Sequence, residues 1–224
     1  MQAAQLLHLL QIASPALPVG AYSYSQGLEA ALEQGMVHDA ESAREWIARH
    51  LSEIVARWEA PLCWRLMQAF TRRDAQAVAE LSERCLASRD TAEFRAESVQ
   101  MGFSLSRLIA ELGIADEGVL AMLDQEVPLP AAYACAVAAL GIPHEEALLA
   151  MLFSWTENQV LVCVKSVPLG QVAGQKLLLS LQPAIEAAAL AAQSIGEADM
   201  SNWAPGLSLL SMQHEVQHGR LYRS

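Results

Sequence analysis

Apolar residues recur at spacings of three and four along nearly the whole chain, and no stretch keeps up the two-residue alternation of a half-buried strand. Proline, glycine and aspartate residues interrupt this pattern at positions that typically begin or end helices. The pattern predicts an all-α fold, a single helical-bundle domain over residues 1–224 with roughly 8–10 helices and no β-sheet. No shift in composition marks a domain boundary.

The positions at which the apolar pattern is interrupted predict where each helix begins and ends. Pro61 should kink or break the long third helix, because proline lacks an N–H and clashes with the preceding turn. Asp90 and Glu93 approximate a capping box at the start of another helix. The helices at 143–166 and 170–195 are the most apolar, so we predict that they are central. The predicted helices are 2–13, 25–34, 39–70, 74–87, 90–112, one from 116, 128–141, 143–166, 170–195 and 204–215.

The amino-acid composition favours helices, and the net charge indicates which class of partner the chain binds. The chain is 53% hydrophobic and only 6% aromatic, and much of the apolar content is Ala and Leu, which lose little side-chain freedom in a helix. It has 14 basic and 25 acidic residues, a formal net charge of −11. Nucleic-acid binding requires clustered Lys and Arg, and no such cluster is found. The charge favours protein partners with basic patches.

Cysteine usage and the N-terminus indicate a cytoplasmic protein. The four cysteines lie far apart and form no CxxC pair, which predicts reduced, buried thiols. The N-terminus lacks the basic region of a signal peptide. The most apolar stretch, residues 147–164, is interrupted by Glu157, Asn158 and Gln159, which a membrane span tolerates poorly. We therefore expect no membrane association.

The segment HEVQH, His214 to His218, has the spacing that places two imidazoles one helical turn apart in zinc proteases. A catalytic zinc needs three protein ligands and an open position. The residues after His218, GRLYRS, contain no third ligand. We predict no metal site, with His214 and His218 as weak candidates for a divalent ion, and we expect both histidines and Glu215 to be surface polar groups.

The segment GQVAGQKL, Gly170 to Leu177, approximates a phosphate-binding P-loop. Its glycines are four positions apart instead of five, and Leu177 stands where Ser or Thr would bind magnesium. The chain is therefore not predicted to be a nucleotide hydrolase of that class. Gly170 and Gly174 are one turn apart, which favours close packing of helices.

Two features have both a structural and a recognition interpretation. The loop SPALPVGAYSYSQGLE, residues 14–29, combines rigid prolines, glycines and two tyrosines, with Ser25 able to cap the next helix. It is either an ordinary connection or a recognition surface, and it lacks the GxSxG pattern of a serine nucleophile. Lys165 either complements the dipole of a helix C-terminus or contacts a partner.

Three segments resemble the UreF-type urease accessory proteins. SPALPVGAYSYSQGLE resembles the N-terminal segment that characterises this family, SVPLGQVAGQ (166–175) its second characteristic segment, and HEVQHGRLYRS (214–224) its C-terminal tail, with Tyr222 where Phe is common. The three segments occur in the family's order, and the resemblance spans essentially the whole chain.

This resemblance implies an all-α, dimeric and non-catalytic protein without a cofactor. Such a protein bridges the urease-binding accessory protein UreD, also called UreH, and the nickel-carrying GTPase UreG. The assembly inserts nickel into apo-urease in a GTP-dependent step. The implied partner-binding residues are Pro18, Gly20, Tyr22, Ser25, Gln26 and Glu29, then Lys165, Pro168, Gly170 and Gln171, and in the tail Arg220, Leu221, Tyr222, Arg223 and Ser224.

Within this interpretation the tail is the candidate for binding UreD, and we expect residues 216–224 to be flexible, because termini are poorly ordered unless docked. Two other functions stay open. One is a metal-dependent hydrolase that uses His214, Glu215 and His218. The other is a nickel carrier or conduit in which His214 and His218 touch the ion.

Overall fold

The computed structural model describes residues 1–167 and 169–224, so Pro168 lies outside the described residues. Eleven α-helices and three short 3-10 turns make up the described part, and no strand occurs in it, which confirms the all-α prediction. The helices are α1 (Ala3–Ile12), α2 (Leu28–Glu33), α3 (Ala40–Glu53), α4 (Glu59–Thr71), α5 (Ala75–Ala87), α6 (Ala92–Glu111), α7 (Glu117–Leu120), α8 (Leu129–Ala139), α9 (His144–Ser166), α10 (Gln171–Ser194) and α11 (Pro205–Glu215).

Aspartate caps begin three of these helices where the sequence predicts them. The side chains of Asp39, Asp74 and Asp116 each accept a hydrogen bond from a backbone N–H in the first turn of α3, α5 and α7, which satisfies one of the amides that a helix leaves unpaired. The capping box proposed for Asp90 and Glu93 is wrong. Thr91 caps α6, and this leaves the Glu93 side chain available for another contact.

The long helix predicted for residues 39–70 is two helices, which accounts for the eleventh. The chain leaves α3 after Glu53, makes a 3-10 turn at Val55–Arg57 and begins α4 at Glu59. The break therefore precedes Pro61. Pro61 lies in the first turn of α4, where its missing N–H would have no partner in the helix.

The most completely buried helix is α8, which adds to the pair α9 and α10 that the sequence predicts to be central. α8 packs against both α4 and α6, and every residue from Pro130 to Val137 is buried. Its sequence, LPAAYACAVAA, is apolar on all sides, as expected for a helix that is surrounded. Small side chains let the neighbouring helices approach closely. α9 and α10 pack against each other, and both also contact α4.

Glycines mark two close approaches between elements. A Cβ on Gly174 of α10 would lie 2.5 Å from Val164 Cγ2 of α9, so the predicted close packing is confirmed there; nothing lies near a Cβ on Gly170. At Gly102 of α6, a Cβ would overlap the backbone carbonyl of Val127. Only glycine leaves room for the chain that leads into α8.

By length and composition alone, α9 is long and apolar enough to cross a membrane. Of the 18-residue window of α9 that meets this criterion, 44% is buried inside the fold. The helix packs against α4 and α10, and Gln159 within it is fully buried. The core helix of a compact fold has the same composition. The four cysteines are free and buried, as predicted.

Replacing Gly102 with alanine should destabilise the fold by about 2 kcal/mol or more, because the added methyl overlaps a backbone carbonyl that cannot move without shifting α8. Alanine's better helix propensity offsets only about 1 kcal/mol. The midpoint of urea unfolding measures the change. Gly206→Ala in α11, where nothing lies within 4 Å of the new methyl, is the control and should be neutral or slightly stabilising. Equal midpoints for the two variants would contradict the packing at Gly102.

Candidate partner-binding site

The C-terminal tail, residues 216–224, is docked against the loop that precedes α2. The Arg223 N–H donates to the Ser23 carbonyl at 2.8 Å, and the Ser25 N–H donates to the Ser224 carbonyl at 2.8 Å. The Ser25 hydroxyl donates to the same carbonyl and accepts from the Glu29 N–H at 3.2 Å. Two segments almost 200 residues apart in the chain are thus joined by main-chain hydrogen bonds.

Glu29, in the first turn of α2, is the main acceptor for the tail. Its Oε1 accepts from the Leu221 N–H at 2.7 Å, and its Oε2 accepts from the Tyr222 N–H at 3.0 Å. The residue is buried. Burying a carboxylate costs free energy unless the group is hydrogen-bonded and paired. The amides of Leu221 and Tyr222 supply part of this hydrogen bonding.

His214, in the last turn of α11, provides the remaining polar contact of the Glu29 carboxylate. Its Nε2 lies 2.9 Å from Glu29 Oε2 and its Nδ1 lies 2.8 Å from Glu93 Oε2, and the ring is fully buried. A proton therefore lies between each ring nitrogen and the carboxylate oxygen that faces it, since two acceptors cannot face each other at these distances. Arg220 pairs with the other oxygen of Glu93 at 2.9 Å. Two carboxylates, one imidazole and one guanidinium form a closed, charge-balanced cluster when both protons reside on the ring.

A second buried carboxylate, Glu97 of α6, fixes the end of the tail. Its Oε2 accepts from the Ser224 hydroxyl at 2.8 Å, and its Oε1 accepts from Gln26 Nε2 at 2.6 Å. Trp155 of α9 donates from Nε1 to Gln26 Oε1 at 2.6 Å. Burial raises the pKa of Glu97 to about 7, although the hydrogen bonds from Gln26 and Ser224 oppose the rise.

Tyr222 anchors the tail in the hydrophobic core. The side chain is buried among the residues of the main core cluster, and burial raises the pKa of its hydroxyl. Lys165, near the end of α9, places its Nζ 5.8 Å from the centre of the Tyr222 ring, a cation–π arrangement. Lys165 and the tail, predicted separately, therefore belong to one site.

The docked tail differs from the flexible tail that the sequence analysis expects. Ser224 and Tyr222 are buried, while Leu221 remains 72% exposed. The reason lies in Glu29 and Glu97, whose buried oxygens accept the hydrogen bonds of the tail. Their position relative to residues 220–224 depends on the tertiary fold.

The predicted binding residues divide into an exposed and a buried set. Pro18, Tyr22, Lys165, Gly170, Gln171, Arg220, Leu221 and Arg223 are exposed, and Gly20 is partly exposed with a φ of 80° that favours glycine. Ser25, Glu29, Tyr222 and Ser224 are buried, and Gln26 is partly buried. The buried residues lie beneath the exposed ones, and their role in partner binding stays a prediction. The prediction for Pro168 falls outside the described residues.

The expectation that His214 is a surface group is wrong, because both of its ring nitrogens are occupied inside the fold. Glu215 and His218 are exposed, and α11 ends at Glu215, so His218 is not on the helix that the zinc-protease spacing requires. Over residues 1–167 and 169–224, no group of three or more His, Cys, Asp or Glu side chains is arranged to hold a metal ion.

Sequence reasoning missed the supporting residues on α6 and α9. Glu97, Gln100, Trp155 and Asn158 all contact the loop or the tail. They lie about 70 to 130 positions from the loop, and no short motif connects them to it. Glu157-Asn158-Gln159, polar residues inside an apolar helix, is the signal that could have marked α9.

Glu97→Gln should stabilise the fold at about pH 8 and have little effect at about pH 5. The pKa of Glu97 is raised in the folded state, so protonation favours folding. That contribution is complete below pH 4.5 and lost as the pH rises through about 7. At about 1.4 kcal/mol per pH unit, the loss is at most roughly 3 kcal/mol. Without a charge, a glutamine can accept from Gln26 Nε2 with its oxygen and donate from its amide nitrogen to the Ser224 hydroxyl.

Urea unfolding of wild type and variant across this pH range measures the difference. Glu83→Gln, an exposed change on α5, is the control and should follow the wild-type curve at every pH. A Glu97→Gln curve parallel to the wild-type curve would show that the Glu97 carboxyl does not titrate in this window.

Comparison with known proteins agrees with the resemblance. A family model described as UreF matches residues 37–182. The chain is 64% identical over 226 residues to the urease accessory protein UreF of Janthinobacterium sp. (strain Marseille), with 100% of both chains covered. It is 59% identical to that of Nitrosospira multiformis (98% of this chain, 97% of the relative) and 52% identical to that of Azoarcus sp. (strain BH72) (98% and 95%). The chain therefore belongs to the UreF family of urease accessory proteins.

Proposed function

We propose that this protein is a non-catalytic scaffold in urease maturation. It bridges a UreD/UreH-type accessory protein and the nickel-carrying UreG-type GTPase, and through that complex serves the GTP-dependent insertion of nickel into apo-urease. The observation that carries this proposal is the loop–tail surface, in which a buried network holds exposed contact residues in place.

The residue types exposed on this surface are those typical of protein–protein interfaces. Tyr22 is 61% exposed and Leu221 is 72% exposed, and the exposed cations Lys165, Arg220 and Arg223 lie on the same docked assembly. Tyrosine and arginine are enriched at interfaces and at their energetic hot spots. A surface ordered before binding loses less conformational entropy when the partner arrives.

A non-catalytic role has support of its own. The segment at Gly170–Leu177 lacks the spacing of a P-loop, and its first residues begin α10 with no strand among the described residues that precede it. The curated relatives are named accessory proteins. In this proposal GTP hydrolysis belongs to the partner, and the free, buried cysteines fit a reducing cytoplasm.

The proposal includes a homodimer, for which α1 offers the contact surface. Leu6, Leu7 and Leu10 are exposed on this helix, and α1 carries no Asp, Glu, Lys or Arg. Exposed leucines on one uncharged helix suit another apolar surface, and a two-fold axis would pair the patch with its own copy.

The alternative is a nickel conduit that uses His214 and His218. Nickel binding at His214 would displace hydrogen bonds to Glu29 or Glu93, so the structure favours a structural role for this ring. His218 is exposed and has no such restraint. Unchanged urease activation by His218→Ala would count against a conduit.

Leu7→Glu should shift the protein towards a monomer, because the carboxylate would be buried against an apolar copy. Light scattering after size-exclusion chromatography gives the mass. Leu190→Glu, an exposed leucine on α10, is the matched control. If both variants keep the wild-type mass, α1 is not the dimer contact.

Glu29→Gln should release the tail and weaken binding to the UreD-type protein by roughly tenfold or more, because the glutamine amide nitrogen cannot accept from a tail N–H. Hydrogen exchange at the Leu221 and Tyr222 amides reports the release directly, and a pull-down measures binding. Glu215→Gln on the exposed side of α11 is the control.

A chain that ends before Arg220 should capture neither partner while its circular dichroism stays helical. Full capture of the UreD-type protein by that chain would refute the tail assignment. For the overall function, purified apo-urease, nickel and both partners should give GTP-dependent urease activity only when this protein is present.

A further inference from the structure

A cleft beside the docked tail is cationic, although the protein as a whole is acidic. It encloses about 250 Å³ between loop residues 18–24 and α6. Among the described residues that line it, none is acidic and only Arg223 is charged. The chain contains 25 acidic and 14 basic residues, so a cleft walled by tyrosines, amides and one guanidinium differs from the average surface.

The guanidinium of Arg223 has no carboxylate partner within the described residues. Its Nη1 makes one long hydrogen bond, 3.3 Å, to Gln100 Oε1. Arg220, three residues earlier, is instead paired with Glu93 at 2.9 Å. The two tail arginines therefore differ: Arg220 closes the internal cluster, and Arg223 keeps most of its five N–H donors free.

The surroundings of Arg223 are fixed before any ligand arrives. Its backbone N–H is bonded to Ser23, and Tyr24 on the same loop donates from its hydroxyl to Gln100 Oε1 at 2.5 Å. Gln100 Oε1 thus accepts from both Tyr24 and Arg223, and Gln100 Nε2 has no partner in the described part of the chain. The cleft offers positioned donors and lacks a charged acceptor.

We infer that this cleft binds a carboxylate side chain, Asp or Glu, of a protein partner, with Arg223 as its bidentate donor. A protein occupant is favoured because Tyr22, on the wall of the cleft, and Leu221, two residues before Arg223, are large and exposed, as interface anchors are. The inference rests on the proposed scaffold function and gives the chemistry of one contact: an acidic residue of the UreD-type protein, to which the tail is assigned.

The test measures two affinities for each variant: that of this protein for the UreD-type protein, and that of the resulting complex for the UreG-type GTPase. Arg223→Gln should weaken the affinity for the UreD-type protein by about tenfold or more at low salt. The salt dependence of that affinity between about 50 and 500 mM NaCl should also become shallower. Arg223→Lys keeps the charge, so it should keep the wild-type salt dependence with an intermediate affinity.

Arg72→Gln is the matched control, because Arg72 is also an exposed arginine without a side-chain partner in the described structure. It should leave both affinities unchanged. The melting temperature of Arg223→Gln should stay within about 2 °C of wild type, since it loses one long, exposed hydrogen bond; this separates lost binding from lost folding.

Three results would overturn the inference. Equal affinities for Arg223→Gln and Arg72→Gln would show that Arg223 does not make this contact. The proposed scaffold function would be unaffected by that result. If about 10 mM inorganic phosphate, at constant ionic strength, abolishes the difference between the two variants, the cleft holds a free anion. If the wild-type protein binds neither partner, the proposed function fails and the inference fails with it.

Discussion

The buried carboxylate of Glu29 is the group on which the arrangement of this site depends. An ionised carboxylate removed from water needs nearly all of its hydrogen-bonding capacity filled. Glu29 obtains this from the amides of Leu221 and Tyr222 and from the His214 ring. None of these donors is on α2. The hydrogen bonds that Glu29 needs for its burial are therefore the same bonds that dock the tail.

The same requirement links the site to the centre of the fold. Glu93 and Glu97 lie one turn apart on α6, which packs on α8, and they bind His214 and the Ser224 hydroxyl. Gln26 connects Glu97 to Trp155 on α9. Through these bonds α2, α6, α9, α11 and the tail form one hydrogen-bonded assembly. The exposed residues Tyr22, Leu221 and Arg223 are positioned by buried groups that lie beneath them.

Local signals in the sequence predict much of the helical framework, and they do not predict the site. The caps at Asp39, Asp74 and Asp116 could be assigned because a cap depends on the next three residues. The break before Glu59, the central place of α8 and the burial of His214 depend on contacts between distant residues, which no local pattern encodes. His214 shows the difference most clearly. Its spacing to His218 suggests a metal site, and its environment, set by Glu29 and Glu93, makes it a structural link.

The bond between Ser25 and Ser224 joins residues 199 positions apart. A ribosome makes the loop before the tail, at about 5–20 residues per second, so about 10–40 s separate them. During this time Glu29, Glu93 and Glu97 lack the hydrogen bonds that α11 and the tail donate to them. The docked loop–tail assembly can therefore form only after residues 214–224 have been made. Its formation is a late folding event, because the groups that hydrogen-bond to Glu29 and Glu97 from α11 and the tail lie far from them along the chain.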